Sequence, residues 1–599
     1  MSAGGAETPH PEYTRRLAAR RADAIGLARR QRRLSHARLT IFALAALVAW
    51  LVFGRQSLSG YALLPPVLGF LALVVWHDRV IRARARAERA AAFYERGLQR
   101  LEARWIGGGE GGDRYITEGH LYAADVDVFG RGSLFELLCT ARTRAGEDTL
   151  AAWLSAPAAA DEVRARQAAV SELRDRLDLR EALALQGEDV RAGLDPDALA
   201  RWAVDPPPAP QPGLRAVAFV AALTAVGTLA AWLLGPATAL PFAGVIVLES
   251  VIGTIGRARS ARVARAVERP CRDLSLLSQL LERLEAERFE SPKLRALRAA
   301  LDTDGVPPSR RVARLRLLVE LLDARRNQIF APIGAMLLWT TQLTRAIEAW
   351  RATSGDRVPR WISVVGEIEA LCALAAFAYE HPEHPFPELV EAGALFESEG
   401  LGHPLLPADR CVRNDLSLGG DVRVLVVSGS NMSGKSTLLR SVGTNTVLAW
   451  AGAPVCARRL RVSQIATGAS IRLQDSLETG ASRFYAEITR LGAIVHQASG
   501  PLPLLFLLDE ILSGTNSHDR RIGADAIVRG LVDRGAIGLV TTHDLALAQI
   551  ADQLAPLAAN VHFEDQLVDG RMSFDFRLRP GVVQKSNALA LMRAVGLEV

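Results

Sequence analysis

Four long apolar runs stand out along the chain, and they come in two closely spaced pairs. The first pair covers Leu39 to Phe53 and Tyr61 to Trp76, and the second covers Leu214 to Leu234 and Ala239 to Ile255. Each run is near the lower limit of about 17–20 residues for crossing a bilayer. Arginines crowd the outer flanks of both pairs, while the first intervening turn carries only Arg55. Because positive charge marks the cytoplasmic side, the pattern predicts two transmembrane hairpins with cytoplasmic ends, the alternative being buried core helices.

Two details within these runs bear on the shape of the spans. Pro65 and Pro66 are expected to kink the second span, because proline cannot donate a backbone hydrogen bond. Glu249 lies within the fourth run and is expected to face a neighbouring helix, since a carboxyl group in contact with lipid is costly.

The segments between and after the hairpins carry apolar residues at helical spacing. Between the hairpins, Ser133 to Leu154 and Ala160 to Leu177 are predicted to be helices, with Pro157 in the connection. After the second hairpin, the same spacing predicts helices over Ala258–Ala299, Pro308–Arg326, Gln328–Ala349 and Trp361–Tyr379. A proline-rich linker follows at Pro382, Pro385 and Pro387. These patterns by themselves indicate only a helical scaffold.

In the C-terminal third, short apolar runs end at polar residues. Val422 to Val427 leads into a loop that fits G-x-x-x-x-G-K-[ST]. Glycines in such a loop let backbone N–H groups surround phosphate oxygens, and the helix that follows presents its positive end to the anion. Lys435 would neutralise the β- and γ-phosphates of ATP, and the Ser436 hydroxyl would hold Mg²⁺. The predicted nucleotide-binding residues are Gly429, Ser430, Asn431, Met432, Ser433, Gly434, Lys435, Ser436 and Thr437.

Two further strands end in residues that could complete this site. Leu504 to Asp509 is an apolar run that ends in Asp509-Glu510, where Asp509 would reach Mg²⁺ and Glu510 would polarise the attacking water. Ile537 to Val540 is followed by Thr541-Thr542-His543, and His543 could contact the γ-phosphate. The predicted catalytic residues are therefore Lys435, Glu510 and His543. Asp569-Gly570 is a favourable hairpin turn between two last strands.

The amino-acid composition adds little to the prediction of a nucleotide-binding site. A formal net charge of +6 would favour a nucleic-acid partner, but only Lys293, Lys435 and Lys585 are lysine among 71 basic residues. Such a skew reflects a general preference for arginine, so the charge is weak support for any partner. The five cysteines are scattered without metal-ligand spacing, which indicates reduced thiols in a cytoplasmic setting.

The loop Leu512 to Asn516 is superficially similar to the L-S-G-G-Q signature of ABC transporters. In those proteins the signature precedes the acidic strand, whereas here it follows, so the order argues against a transporter. The C-terminal third instead resembles the MutS family of DNA mismatch repair ATPases over Leu401 to Val599. The motifs that carry the resemblance are G-S-N-M-S-G-K-S-T at 429–437, D-x-L-x-x-G-x-S-x-F-x-x-E at 475–487, D-E-I-L-S-G-T at 509–515 and T-H at 542–543. Ser133 to Val170 resembles the family's core domain more weakly.

The resemblance implies a Mg²⁺-dependent ATPase that acts as a homodimer with its two ATPase domains facing each other. Ser482 would then reach, in trans, the ATP held by the glycine loop of the other copy. The helical regions would form the family's core and levers, and DNA would be a possible partner. The family's mismatch-reading domain is replaced here by a basic arm and a hairpin, and Phe93-Tyr94-Glu95 only echoes its G-x-F-Y-E motif.

We therefore expect an α/β P-loop ATPase domain of the ABC or MutS type, preceded by an all-α region that two transmembrane hairpins interrupt. The expected divisions are an arm and first hairpin (1–90), a helical core-like domain (91–213), the second hairpin (214–256), a helical lever region (257–395) and the ATPase domain (396–599). The expected function is that of a membrane-anchored ATPase coupled to mismatched, damaged or branched DNA. The alternative is a membrane-associated, ATP-driven switch that acts on a protein or lipid. The expected location is a bacterial-type cytoplasmic (inner) membrane, crossed several times, with the ATPase domain in the cytoplasm.

Overall fold

We examined a computed structural model of the chain. The structure describes residues 8–191, 196–205, 213–235, 238–268, 274–302, 305–326, 330–391, 393–472, 483–568 and 571–583. The chain divides into two compact units, Met1–Gly109 and Glu110–Val599.

The first unit is a long antiparallel pair of helices. Helix α1 (Pro9–Ala49) continues into a π-helical turn at Trp50–Gly54, and a 3₁₀ turn at Gly60–Leu63 leads into α2 (Leu64–Leu101). Pro65 and Pro66 lie in the first turn of α2 and do not kink it, so that prediction was wrong. The reason is positional, because the first helical N–H groups have no intrahelical acceptor and proline loses nothing there.

The polar end of this helix pair has its own core. Tyr13 and Tyr94 are fully buried with their ring centroids 5.7 Å apart, and Phe93 is 7% exposed. The Arg16 guanidinium donates to the Tyr94 hydroxyl at 3.0 Å. A Cβ at Gly97 would lie 2.5 Å from Tyr13 Cε2, so only glycine permits this approach. The echo of the mismatch-reading motif at Phe93-Tyr94 therefore has a packing explanation.

The helical part of the second unit confirms the predicted all-α region before the C-terminal third. It comprises α3 (Leu134–Leu138), α4 (Arg144–Ser155), α5 (Ala160–Arg174), α6 (Leu177–Arg191), α7 (Pro196–Val204), α8 (Leu214–Leu234), α9 (Leu240–Glu268), α10 (Leu274–Ala286), α11 (Pro292–Ala299), α12 (Pro308–Asp323), α13 (Ala331–Met336), α14 (Trp339–Ser354) and α15 (Val358–Glu380). Short 3₁₀ turns lie at Asp113–Tyr115, Ala324–Arg326 and Gly355–Arg357. The stretch predicted as one helix over Ser133 to Leu154 is two, because the Thr143 side chain caps α4 by accepting from Gly146 N at 3.1 Å.

Among the described residues, four helical stretches are long and apolar enough to cross a membrane: Pro9–Gly54, Gly60–Leu101, Ala216–Leu234 and Trp339–Glu380. The first three coincide with predicted spans. The apolar part of α9, Leu240–Thr254, is shorter. The apolar window of Trp339–Glu380 is mostly buried inside the protein, where Trp361 has no exposed surface. These helices are candidate membrane spans by their length and composition only.

The C-terminal part is mixed α/β, as predicted. Its strands are β1 (Glu388–Val390), β2 (Phe396–Leu401), β3 (Asn414–Leu418), β4 (Val424–Ser428), β5 (Arg459–Ser463), β6 (Ala466–Ser470), β7 (Leu504–Leu508), β8 (Ile537–Thr542), β9 (Ala558–Val568) and β10 (Arg571–Pro580). Its helices are α16 (Lys435–Ala451), α17 (Arg483–Gln497), α18 (Ser517–Asp533) and α19 (Leu545–Gln553). A small sheet has the order β1-β5-β2-β3, and a six-stranded sheet has the order β10-β9-β4-β8-β7-β6.

The six-stranded sheet positions the predicted site motifs of the sequence. Strands β4, β6, β7, β8 and β9 run parallel, and β10 pairs antiparallel with β9. The central strands are buried on both faces, as the continuous apolar runs require. The turn between β9 and β10, Asp569-Gly570, lies outside the described residues.

Candidate nucleotide-binding site

The site lies at the edge of the sheet where parallel strands end. Strand β8 pairs with both β4 and β7, and Ser428 lies opposite Thr542 in this register. The glycine loop follows β4, Asp509-Glu510 follows β7, and His543 follows β8. Because the carboxyl ends of parallel neighbours meet at one edge, three motifs far apart in sequence come together here.

The glycine loop adopts a backbone that glycine favours. Gly429 has φ 155°, Gly434 has φ 103° and Met432 has φ 68°. A Cβ at Gly429 would lie 2.8 Å from Ser433 Oγ, and one at Gly434 would lie 3.1 Å from the Phe576 ring. The loop then opens directly into α16 at Lys435, so its backbone N–H groups and the positive helix end face the same space.

Lys435 crosses back over the loop. Its Nζ donates to the carbonyl oxygens of Gly429 at 2.9 Å and Ser430 at 2.8 Å, and the residue is 5% exposed. Burial lowers the pKa of Lys435, and the nearby carboxylates of Glu510 and Asp509 oppose this shift. The ammonium group is therefore held between the loop and the acidic pair.

Two serine hydroxyls of the loop show what the site could hold. The Oγ atoms of Ser430 and Ser433 are buried and have no hydrogen-bond partner among the described residues. Buried hydroxyls are normally paired, so their donors fit an anionic ligand with several acceptor oxygens. Asn431 and Met432 are exposed, Ser436 is half-buried in the first turn of α16, and Thr437 is exposed beside it.

The acidic pair is fixed by Thr541 at the end of β8. The Thr541 hydroxyl donates to Asp509 Oδ1 and accepts from the Glu510 N–H at 3.0 Å. Glu510 has φ 49°, and its Oε1 lies 3.5 Å from His543 Nδ1. Both side chains are partly exposed, which leaves their polar atoms accessible to a ligand or water.

The donor set also suits a magnesium ion held partly by a ligand. No cluster of three or more His, Cys, Asp or Glu side chains that could hold a metal occurs in the described part of the chain. One carboxylate (Asp509) and one hydroxyl (Ser436) match the way Mg²⁺ binds through few protein groups, with phosphates and waters completing its shell. The residues present therefore fit the predicted ion.

A cavity of about 170 Å³ adjoins the start of α16. His403, Cys411, Val412, Thr437 and Phe576 are among its lining residues. Burial lowers the pKa of His403 to about 4, so the imidazole stays neutral near pH 7. Val412, Phe563 and Phe576 give this cavity an apolar side that suits a flat, uncharged group, and Arg410 also lines it.

Comparison with known proteins places the similarity in the C-terminal part of the chain. Residues 425–598 match the family model of MutS domain V. The chain is 35% identical over 253 residues to "DNA mismatch repair protein MutS 2" of Halobacterium salinarum and 33% identical over 259 residues to "DNA mismatch repair protein MutS" of Natronomonas pharaonis. It is 31% identical over 257 residues to "Endonuclease MutS2" of Thermus thermophilus. The C-terminal part of the chain is similar to MutS proteins.

The likeness to these MutS proteins is partial. The three alignments cover 41%, 42% and 41% of this chain and only 29%, 29% and 32% of the relatives. The chain therefore spans less than a third of the length of each of these relatives, and the family-model match lies in its C-terminal part.

Two contacts near the acidic pair were not predicted from the sequence. The Glu487 carboxylate is buried and accepts from Leu512 N at 2.5 Å, which fixes the loop after the acidic pair to α17. Arg520 holds the other side of that loop by donating at 3.1 Å to the carbonyls of Leu512, Ser513 and Thr515. Glu487 belongs to the motif that resembles the family, which was the available signal, whereas nothing in the sequence marked Arg520.

Ser482, the residue predicted to complete the site of the other copy, lies outside the described residues, as do residues 473–481 before it. Both sides of this segment are fixed to the helical region through Asp125, which is 3% exposed. Its carboxylate accepts from Ile471 N at 2.7 Å and Arg472 N at 2.8 Å on one side, and from Arg490 at 2.6 Å on the other. The helical region therefore contacts both flanks of the segment that carries Ser482.

Proposed function

We propose that this chain binds and hydrolyses ATP at the glycine loop. The observation that carries the proposal is the convergence at one sheet edge of Lys435, the acidic pair and two buried serine hydroxyls that no described residue pairs with. These groups supply cations and donors for phosphate oxygens and a carboxylate for the attacking water. The match of residues 425–598 to MutS domain V supports the same activity.

In this proposal each residue has a distinct role. Lys435 and the loop N–H groups bind the phosphates and stabilise negative charge that develops on them. Glu510, oriented by the Thr541 hydroxyl and by His543, accepts a proton from the water that attacks the terminal phosphate. Mg²⁺, held by Ser436 and Asp509, would neutralise phosphate oxygens. The cavity at His403 and Phe576 would receive the adenine base.

We further propose a homodimer in which Ser482 of each copy completes the site of the other. The attachment of both flanks of this segment to Asp125 supports a role for the helical region in presenting it. A conformational change caused by ATP binding or hydrolysis would then be transmitted to the helices through Asp125 and through the hydrogen bond between Glu487 and Leu512 N.

The proposed setting is the bacterial-type cytoplasmic membrane, with α1–α2 and α8–α9 as hairpins that cross it and the ATPase domain in the cytoplasm. The long apolar stretches of α1, α2 and α8 support this. The relatives' names support DNA as the partner of the ATP cycle. The burial of Phe93 and Tyr94 favours the second candidate, a membrane-associated switch that acts on a protein or lipid.

A single substitution tests the chemistry. Glu510→Gln should still bind ATP but hydrolyse it at least about a hundredfold more slowly, because the amide cannot accept the proton. ATP binding is measured by filter retention and turnover by phosphate release, with the full chain in detergent. Glu564→Gln, an exposed carboxylate on β9, is the control and should keep wild-type turnover. Near-normal hydrolysis by Glu510→Gln would remove Glu510 from this role.

The same preparation distinguishes the two candidate partners. ATP turnover and filter binding are measured with homoduplex, mismatched and branched DNA at several salt concentrations, because phosphate contacts weaken as salt rises. Binding or stimulation by any of these supports DNA coupling. If none binds or alters turnover, the DNA proposal fails and the membrane switch is the better account.

A further inference from the structure

A large cavity lies outside the nucleotide site, between the second apolar hairpin and the helices that follow it. Its volume is about 860 Å³, within the range of ligand pockets, and α8, α9, α13 and α14 contribute its walls. Most of its lining is apolar, including Leu229, Phe242, Ile246, Pro332 and Trp339. The cavity is large enough for a drug-sized organic molecule.

One acidic side chain in this lining has no hydrogen-bond partner in the part of the chain that the structure describes. Glu249 of α9 is 3% exposed, and both of its carboxyl oxygens are buried without a hydrogen-bond partner among the described residues. Two other polar residues of the lining are already bonded within the protein. The Ser250 hydroxyl donates to Ile246 O at 2.8 Å, and Ser260 Oγ accepts from Thr344 at 3.1 Å.

A carboxylate enclosed by apolar groups is costly unless a cation or hydrogen-bond donor pairs with it. Neither the helix pair nor the rest of the described chain supplies such a group to Glu249. Arg325 also lines the cavity, and a lipid phosphate could bind there, but it would leave the Glu249 oxygens unpaired. A ligand that satisfies Glu249 needs an N–H donor with positive charge, attached to an apolar body.

We propose that this cavity is a binding site for an apolar organic amine whose protonated nitrogen pairs with Glu249. The nitrogen donates to the carboxyl oxygens, and the apolar body fills the space beside Phe242 and Trp339. Neither the charge pairing nor the apolar burial involves the ATP site. The proposal therefore stands or falls independently of ATP hydrolysis.

The test uses the full chain in lipid nanodiscs and two fluorescent probes. Rhodamine 6G is an apolar cation with N–H donors, and Nile red is a neutral apolar dye. Fluorescence polarisation is titrated against protein, with empty nanodiscs as the baseline for partition into lipid. Rhodamine 6G should bind the wild type saturably, and Glu249→Gln should weaken this binding at least about tenfold while Nile red binding stays unchanged.

Two further variants show whether weaker dye binding comes from a change in the cavity or from unfolding of the protein. Among the described residues, a Cβ at Gly253 would meet Leu338 at 3.8 Å and no other atom within 4 Å, so Gly253→Leu can extend into the cavity and should weaken binding of both dyes. Glu320→Gln removes an exposed carboxylate on α12 and should bind both dyes as the wild type does. Size-exclusion elution and near-ultraviolet circular dichroism verify that each variant is folded. Equal rhodamine 6G affinity in wild type and Glu249→Gln, or no saturable binding by the wild type, would overturn the proposal.

Discussion

Two thiols meet beside the candidate base cavity. A Cβ at Gly402 would lie 2.6 Å from Cys411 Sγ and 3.0 Å from Cys456 Sγ, so glycine is required where both sulfur atoms approach. The Cys411 sulfur accepts a hydrogen bond from the Cys456 thiol and another, at 3.2 Å, from His403 N. The Cys456 bond, together with His403 N and the charge of Arg413, lowers the pKa of Cys411 although burial opposes the shift. The same bond and burial raise the pKa of Cys456.

This difference predicts selective alkylation. Because the pKa of Cys411 is lowered, its thiolate forms at a lower pH than that of an ordinary thiol, whose pKa is about 8.5. Iodoacetamide should therefore modify Cys411 rapidly at neutral pH, while Cys456 stays protonated and slow. Burial also raises the pKa values of Cys139 and Cys372 to about 12, which makes them internal controls.

Rates are followed for each cysteine peptide by mass spectrometry across about pH 5 to 9. Since Cys411 lines the cavity proposed for adenine, ATP should slow its modification. A rate for Cys411 that rises only above about pH 8 would contradict the predicted thiolate.

Among individual residues, the sequence predicted those site residues that directly follow a strand or the loop after it. Lys435, Asp509 and His543 each come after an apolar run, and parallel strands bring such positions to one edge. The contacts of Glu487 and Arg520 with the loop at Leu512 depend on how helices α17 and α18 pack against the sheet. No local pattern specifies that packing, so the contacts themselves were found only in the structure, although the motif at 475–487 marked Glu487 as a residue of interest.

Helices α4 and α15 cross at two glycines. A Cβ at Gly366 would lie 2.7 Å from Ala145 O, and one at Gly146 would lie 2.5 Å from Glu369 Oε2. The buried Glu369 carboxylate also accepts from Thr143 N at 3.2 Å, at the start of α4. Burial raises the pKa of Glu369, and the Thr143 hydroxyl and the nearby N–H groups oppose that shift. The crossing therefore combines close backbone approach with capping of α4.

This crossing predicts that Gly366→Ala destabilises the protein, because the new methyl group meets a backbone carbonyl that cannot move freely. The expected loss is about 1–3 kcal/mol, read as a lower thermal unfolding midpoint of the full chain. Gly492 on α17 is the matched control, because a Cβ there would meet nothing within 4 Å. Gly492→Ala should be neutral or stabilise by up to about 1 kcal/mol through helix propensity. Equal midpoints for the two variants would refute the crossing argument.

The presence of a helix was easier to predict from the sequence than where it begins and ends, or whether protein or lipid surrounds it. The apolar spacing over Trp361 to Tyr379 predicted a helix that the structure extends to Val358–Glu380. The helical spacing of apolar residues over Ser133 to Leu154 continues past Thr143, so it did not indicate that one helix ends and another begins at this cap. Apolar content also gives no reliable sign of environment, because the window of α14 and α15 that would suffice for a membrane is buried in protein instead.

At the scale of the whole molecule, the exposed apolar tip of the first helix pair needs a non-aqueous partner. Phe53 is 74% exposed and Tyr61 is 81% exposed, and further leucines and valines around them are exposed as well. A contiguous apolar surface of this kind is rare on water-facing proteins and marks a membrane or protein interface. Arginines at the opposite end of the pair favour the membrane, because they would remain on the cytoplasmic side.

This orientation predicts which positions are reachable from outside the cell. Ser57 lies in the turn between α1 and α2, and Ser35 lies on the arginine-rich part of α1; both are exposed. With Ser57→Cys, a membrane-impermeant maleimide added to intact spheroplasts should label the protein, because the turn would face the outside. Ser35→Cys should be labelled only after the membrane is permeabilised, and the wild-type chain serves as the control for its native cysteines. Labelling of both variants in intact spheroplasts, or of neither, would show that the first helix pair does not cross the membrane in this orientation. The outcome does not depend on ATP hydrolysis, so it tests the membrane proposal separately from the enzymatic one.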